Sequence, residues 1–157
     1  MKILTLDLAT KTGWCFGHYD EPLLDSRHGV IDFSLGKGET RGHRFLKFHT
    51  WFRQLVKSQK PDRVYYEDVK RHSSNLSARV YCGLLSQVEM ICAYEKIPLF
   101  DVGVGTIKKH ATGKGNATKE MMIDACKVKG ITPKDDNEAD AICLWCYAVE
   151  EVHKCDF

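Results

Sequence analysis

Apolar positions change period along the chain. Residues 2–7 (KILTLD) alternate Leu and β-branched residues with polar ones and predict a strand that ends at Asp7. Residues 12–19, with Trp14, Cys15 and Phe16 between Gly13 and Gly17, predict a second strand, and residues 27–34 (RHGVIDFS) a third. The short connections predict an antiparallel meander. The period then lengthens: Phe45, Phe48, Phe52, Leu55 and Val56 recur at helical spacing, with Trp51 flanking them. A helix over 41–58 is expected there, closed by Lys60-Pro61-Asp62. RVYYE (63–67) reads as a short strand ending at Glu67. Ser73, Ser74 and Asn75 offer N-caps for a long helix to Glu95, whose apolar face is Leu76, Val80, Leu84, Val88 and Ile91. Residues 97–102 predict a fifth strand, begun by Pro98. Helices near 104–110 and 117–128 flank the loop at 112–116, and a last helix covers 136–152. The order predicts one α/β domain over 1–157, with a central mixed sheet of five strands flanked by helices.

Composition narrows the class. The chain has 157 residues, 43% of them hydrophobic, with only 4 Pro, and no repeat or linker divides it. A chain this long buries about two-thirds of its unfolded surface, so a core needs no staples. No apolar run reaches the roughly 18 residues of a membrane helix. The opening MKILTLDLA carries Asp7 inside its apolar stretch and does not read as a signal peptide. Seven Cys, odd in number and scattered, fit reduced thiols in a cytoplasm rather than a disulfide framework. Cys143 and Cys146 form a CxxC, but inside a predicted helix and without a second pair. Core thiols are therefore the better reading than a zinc site completed by His153 and Cys155.

A net charge of +2 hides segregation. Residues 41–60 carry Arg41, Arg44, Lys47, Arg53, Lys57 and Lys60 and no acid. Residues 104–134 hold seven Lys against Glu120 and Asp124, whereas residues 135–157 hold seven acids against Lys154 alone. Basic blocks beside an acidic one suggest a polyanion held next to carboxylates.

The acids share one address. Asp7 ends the first strand, Glu67 ends the fourth, and Asp135, Asp136, Glu138 and Asp140 open the last helix. Carboxylates at sheet ends beside a helix N-terminus can meet around one hard cation such as Mg²⁺. First-turn acids also complement a helix dipole, which accounts equally well for Asp135, Asp136 and Glu138. Asp140 lies between Ala139 and Ala141 on a helix whose next turns are apolar, where a lone carboxylate is costly unless paired or metal-bound. The loop Gly113-Lys114-Gly115, with Lys108, Lys109 and Lys119 around it, suits phosphate, although it lacks P-loop spacing. His110 beside two lysines reads as a phosphate contact rather than a general base.

These residues resemble the RuvC-type Holliday junction resolvases. LTLDLATKTGW (4–14) is similar to the family's opening, and the strand ending in Glu67 is similar to the one bearing its second acid. VGTIKKHATGKGNATK (104–119) resembles its basic segment, with two lysines eleven residues apart around a GxG loop. DNEADAICL (136–144) resembles its last helix, most like bacteriophage members.

The resemblance implies an RNase H-like fold, with three antiparallel strands followed by two parallel ones. It also implies a homodimer joined through the helix at 75–95, and cleavage of four-way DNA junctions with Mg²⁺, for which Mn²⁺ would substitute. It implies Asp7, Glu67 and Asp140 as ligands of two ions about 3.5–4 Å apart. Lys108 and Lys119 fall at the family's functional lysines. Where members often carry an acid or His before the final Asp, this chain has Asn137, so Asp136 is the candidate for a fourth carboxylate. An aromatic residue that follows the second acid in cellular members is replaced here around Lys70, Arg71 and His72, which read as phosphate contacts. Lys70, Arg71, Lys108, Lys109, His110, Lys114 and Lys119, with Arg41, Arg44 and Lys47, form the expected DNA-binding set. No nucleotide cofactor is expected, and an actin-like ATPase would need a longer, two-lobed chain. The alternatives are another branched-DNA or RNase H-like nuclease, or a catalytically weak junction-binding protein.

Overall fold

Alternation along the first strand decides the layering. A computed structural model describes residues 1–155 and pairs β1 (Lys2–Asp7) with β2 (Lys11–His18), and β2 with β3 (Arg27–Asp32), both antiparallel. β4 (Arg63–Asp68) joins β1 in parallel, and β5 (Leu99–Gly103) joins β4 in parallel. The sheet order is β3-β2-β1-β4-β5. Ile3 and Tyr65 point to one face, where Ile107, Met122, Ile142 and Trp145 cover them. Leu4, Leu6 and Val64 point to the other, under Phe48, Phe52, Leu84 and Val88. A sheet covered on both sides explains why these strands carry so little polar surface.

The helices α1 (Arg41–Gln59) and α2 (Asn75–Glu95) form the second layer. Gly83 admits the Phe45 ring at a distance where a Cβ would collide, 2.3 Å from Cε1. The first layer holds α3 (Val104–Thr112), α4 (Lys119–Val128) and α5 (Asp136–Cys155).

Element ends differ from the sequence reading by a few residues, each for a local reason. Lys96 closes α2 in the left-handed conformation (φ 58°), and the N–H of Ile97 donates to the Cys92 carbonyl. Ile97 is therefore tied to the helix end rather than to the sheet, and β5 starts two residues later. Thr118 caps α4, its Oγ1 accepting from the Met121 N–H at 3.3 Å, so that helix starts at Lys119. A 3₁₀ turn at Leu23–Asp25 carries no periodic signal and was not anticipated.

The apolar face of α2, which a dimer joined through that helix was expected to use, is instead packed on its own sheet: Leu84 and Val88 are fully buried within the domain, and Leu76 is the exposed exception. Among the described residues no helix is long and apolar enough to cross a membrane.

Candidate active site

The acids at strand ends follow the alternation that placed the core. Asp7 lies two residues beyond Thr5 on β1, and Glu67 two beyond Tyr65 on β4, so both project toward the face that α5 covers. Asp140, in the second turn of α5, meets them there. One carboxylate oxygen from each of Asp7, Glu67 and Asp140 lies within 4.8 Å of the others. Asp7 and Glu67 are buried and Asp140 nearly so.

Burial and crowding resist ionisation of all three. Desolvation, then the charges of Glu67 and Asp140, push Asp7 well above the usual carboxylate range. Glu67 is raised by desolvation, partly offset by its hydrogen bond with Asp7 and by Lys108. Asp140 is pushed up to about 7, by desolvation first and then by Glu67 and Asp136, even though Lys108 and Lys119 draw it down. Its Oδ1 is buried and has no hydrogen-bond partner. An orphaned carboxylate oxygen aimed at two other acids is the donor set a hard divalent cation completes, so the residues fit a metal centre.

The other sequence-predicted residues divide. Arg44, Arg71 and Lys119 line a cleft of about 760 Å³ with the three acids, together with His72 and Asn137. Lys108 is half-buried on α3, and its charge reaches Glu67 and Asp140. Asp136 is not in the cluster; its carboxylate lies 2.5 Å from Lys119 Nζ. Arg41, Lys109 and Lys114 are exposed outside the cleft. Lys70 is exposed, 3.9 Å from Asp68, and Lys47 pairs with Glu39 at 2.6 Å. His110 turns away from the cleft: its Nε2 bonds Glu150 at 2.7 Å and its ring meets Tyr147 edge-on. The helical period carries it to the side of α3 that packs on α5, so a free phosphate contact there is not what the fold provides.

Three cleft residues escaped the sequence reading. Lys11 and Ser34 line it beside Asp7. The tight β1–β2 turn immediately after an acid was the signal for Lys11. Tyr81 lies on α2, where its hydroxyl donates to the Glu67 carbonyl at 2.9 Å and accepts from the Val69 N–H at 3.2 Å. It thereby fixes the end of β4. Glu138 is buried on the far side of the α5 first turn, away from the cluster. Of the CxxC thiols, Cys143 lies in the core with its Sγ 3.7 Å from Cys126 Sγ, and Cys146 is half-buried.

A five-stranded mixed sheet in this order, with acids converging from its first and fourth strands and its last helix, defines the RNase H-like class. Within it, the chain is similar in sequence to proteins named crossover junction endodeoxyribonuclease RuvC. It is 26% identical over 137 residues to the one from Chlamydia trachomatis serovar L2, covering 80% of each chain. To the one from Ehrlichia ruminantium strain Gardel it is 25% identical over 158 residues, covering 92% of this chain and 94% of the relative. The fold matches T. thermophilus RuvC in complex with a Holliday junction substrate, with a TM-score of 0.77 at 18% identity over 96% of this chain and 94% of that one. A yeast mitochondrial Holliday junction resolvase matches with a TM-score of 0.63 at 12% identity, over 95% of this chain and 80% of that one. No family model matches the chain.

Proposed function

We propose that this chain is a divalent-metal-dependent endonuclease that resolves four-way DNA junctions. The observation that carries the reading is the Asp7–Glu67–Asp140 cluster, closed to within 4.8 Å in a cleft walled by Arg44, Arg71 and Lys119. It is supported by homology to proteins named crossover junction endodeoxyribonuclease over nearly the whole length. Mg²⁺ is the cation this all-oxygen set suits, with waters and substrate phosphate completing its shell.

The chain's own residues do three things. Asp7, Glu67 and Asp140 would hold the metal, which when bound would supply Lewis-acid stabilisation and lower the pKa of the attacking water. Lys119 and Arg44 face the cleft where a sugar–phosphate strand would lie, and neutralise it. Lys108 adds positive charge beside Glu67 and Asp140. In-line attack of water on phosphorus then breaks the P–O3′ bond, leaving a 5′-phosphate and a 3′-hydroxyl.

Opposed strands of a two-fold symmetric junction require two sites, so the working form is a homodimer. With the α2 stripe buried, the surface that suits a second copy is the outer face of α1 and α2. Leu46, Met90 and Tyr94 are exposed there along grooves shared with His49 and Arg53. The protein acts in the cytoplasm, host cytoplasm if the phage likeness of its last helix reflects its origin. Asn137 lines the cleft in place of an acid and favours, as a second reading, a binding protein with feeble chemistry.

Labelled four-way, Y-shaped and linear DNA, incubated with and without Mg²⁺, tests these together. Symmetric nicks in the four-way substrate alone, dependent on metal, are expected. Cleavage of every branched form points to a broader nuclease, and tight junction binding without nicks to the binding protein.

A further inference from the structure

Five polar side chains of the described residues are buried: Thr5, Asp7, Thr12, Glu67 and Glu138. Asp7 and Glu67 belong to the cluster, and Thr12 closes the turn that follows Asp7, its Oγ1 donating to the Ala9 carbonyl at 2.7 Å. Thr5 and Glu138 remain, and neither touches the cleft. A buried polar group is costly unless its bonds are made, so the partners of these two state what they are for.

Both bind the segment that carries Asp140. Thr5 Oγ1, two residues before Asp7 on β1, donates to the Ala141 carbonyl at 2.7 Å. Ala141 is the residue next to Asp140. Glu138 folds back from the first turn of α5: Oε1 accepts from His28 Nδ1 on β3 at 2.7 Å, and Oε2 accepts from the Lys134 N–H at 2.5 Å. Asp135 Oδ1 accepts the Glu138 N–H at 2.9 Å and completes the cap. The gap being bridged is narrow. A Cβ at Gly13, the residue paired with Asp7 across β1 and β2, would fall 1.9 Å from the Asn137 carbonyl oxygen. The first turn of α5 thus lies directly on β2, pinned on one side to β1 by Thr5 and on the other to β3 by Glu138.

We propose that Thr5 and Glu138 are positioning residues for the metal centre, which set the axial and lateral placement of α5 and so hold Asp140 against Asp7 and Glu67. The inference rests on the metal-centre reading. Three carboxylate oxygens gathered within 4.8 Å of one another need the helix that bears Asp140 to be held in place. Thr5 donates to a carbonyl whose usual partner is a helical N–H, an extra bond that only a fixed helix position supplies. His28 reaches Glu138 from the outer edge strand, which gives β3 a purpose beyond flanking the sheet.

The test measures Mn²⁺ binding to the full-length protein without DNA, by loss of the free-ion electron paramagnetic resonance signal, with unfolding followed in parallel. Thr5→Val and Glu138→Ala should weaken Mn²⁺ binding by about 10–100-fold at temperatures where both stay folded, the range for partners that orient a ligand. Thr5→Ser keeps the hydroxyl, and Glu138→Gln keeps one oxygen to accept the Lys134 N–H and an amide NH2 that can donate to His28 Nδ1, so both should recover most of the affinity. Gly13→Ala should weaken binding with either tie intact. Wild-type binding that Thr5→Val and Glu138→Ala leave unchanged overturns the positioning role and leaves the metal centre standing. A wild-type chain that binds no Mn²⁺ overturns both. If Thr5→Val or Glu138→Ala fails to fold, the folded conservative variants decide: affinity lost in Thr5→Ser and Glu138→Gln alike would show that the hydrogen bonds are not what holds the site.

Discussion

Lys119 Nζ lies 2.5 Å from a carboxylate oxygen of Asp136, one helical turn before Asp140 on α5. That pairing settles which acids are free. Asp136 is neutralised by its own partner and stands outside the triad, whereas Asp140 has an oxygen with no partner. It also raises the pKa of Lys119, through the hydrogen bond to Asp136 first, and so keeps the lysine charged beside the cleft.

Asp136→Asn should therefore be much milder than Asp140→Asn. Single-turnover cleavage in saturating Mg²⁺ is expected to fall by about tenfold or less for Asp136→Asn, and by about 10³-fold or more for Asp140→Asn, a difference of at least ~2.7 kcal/mol in barrier. Equal losses would make Asp136 a ligand.

Asp7→Asn and Glu67→Gln should match Asp140→Asn in lost cleavage. All three should bind the junction as tightly as the wild type, or more so, because each removes negative charge from a site facing phosphate. Gel shift in Ca²⁺ or EDTA beside the cleavage assay separates the two effects; near-normal turnover in any one of them removes that residue from the ligand set.

Removing metal should make stability depend on pH. Asp140 titrates at about 7 in the folded chain against an ordinary 3.8, so between those values the native state holds more protons than the unfolded one. Stability of the metal-free protein is then fully present below the ordinary value and is lost as pH rises through about 7, by up to ~4 kcal/mol from this group. Thermal unfolding in EDTA should show Tm falling between pH 5 and pH 8. Mg²⁺ should restore it, and Asp140→Asn should raise the metal-free Tm at pH 8. A flat profile in EDTA would mean that the cluster is not strained by its own charge.

Lys108 and Lys119 should differ in kind from the α1 cations. Each lost phosphate contact should lower the salt slope of log K by about 0.9, whichever residue supplies it. At saturating junction only Lys108→Ala and Lys119→Ala should still slow the single-turnover step, because both charges act on the acid cluster. Arg41→Ala and Lys47→Ala should recover fully. Full recovery in the lysine variants would assign them to binding alone.

Burial of Leu84 decides what a charge there should do. Leu84→Asp places a carboxylate in the core and should unfold the chain rather than yield a monomer. Met90→Asp and Leu46→Asp, on the exposed face of α1 and α2, should leave a folded protein of half the wild-type mass by sedimentation, which cuts one strand without its opposite. A wild-type monomer in the presence and absence of junction DNA would refute the dimer.

Patterning and turn signals identified five strands, five helices and the strand ends near which Asp7 and Glu67 stand. The reason is physical: β1 and β4 are buried on both faces, so their sequences leave no ambiguity about where the apolar run stops and a carboxylate begins. The cap candidates Ser73, Ser74 and Asn75 marked the start of α2 to within about two residues. What the sequence could not determine is which side each amphipathic surface faces. The stripe on α2 looks the same whether it covers its own sheet or a partner's, and only the packing of Leu84 and Val88 under Leu4 and Leu6 decides between them. Likewise the sequence does not say toward which neighbour each acid at the start of α5 turns. The rotation of α5 over Gly13 sends Asp140 to the metal site, Asp136 to Lys119 and Glu138 to His28. That rotation is set by contacts between residues more than a hundred positions apart, such as Thr5 with Ala141, and no local pattern encodes them.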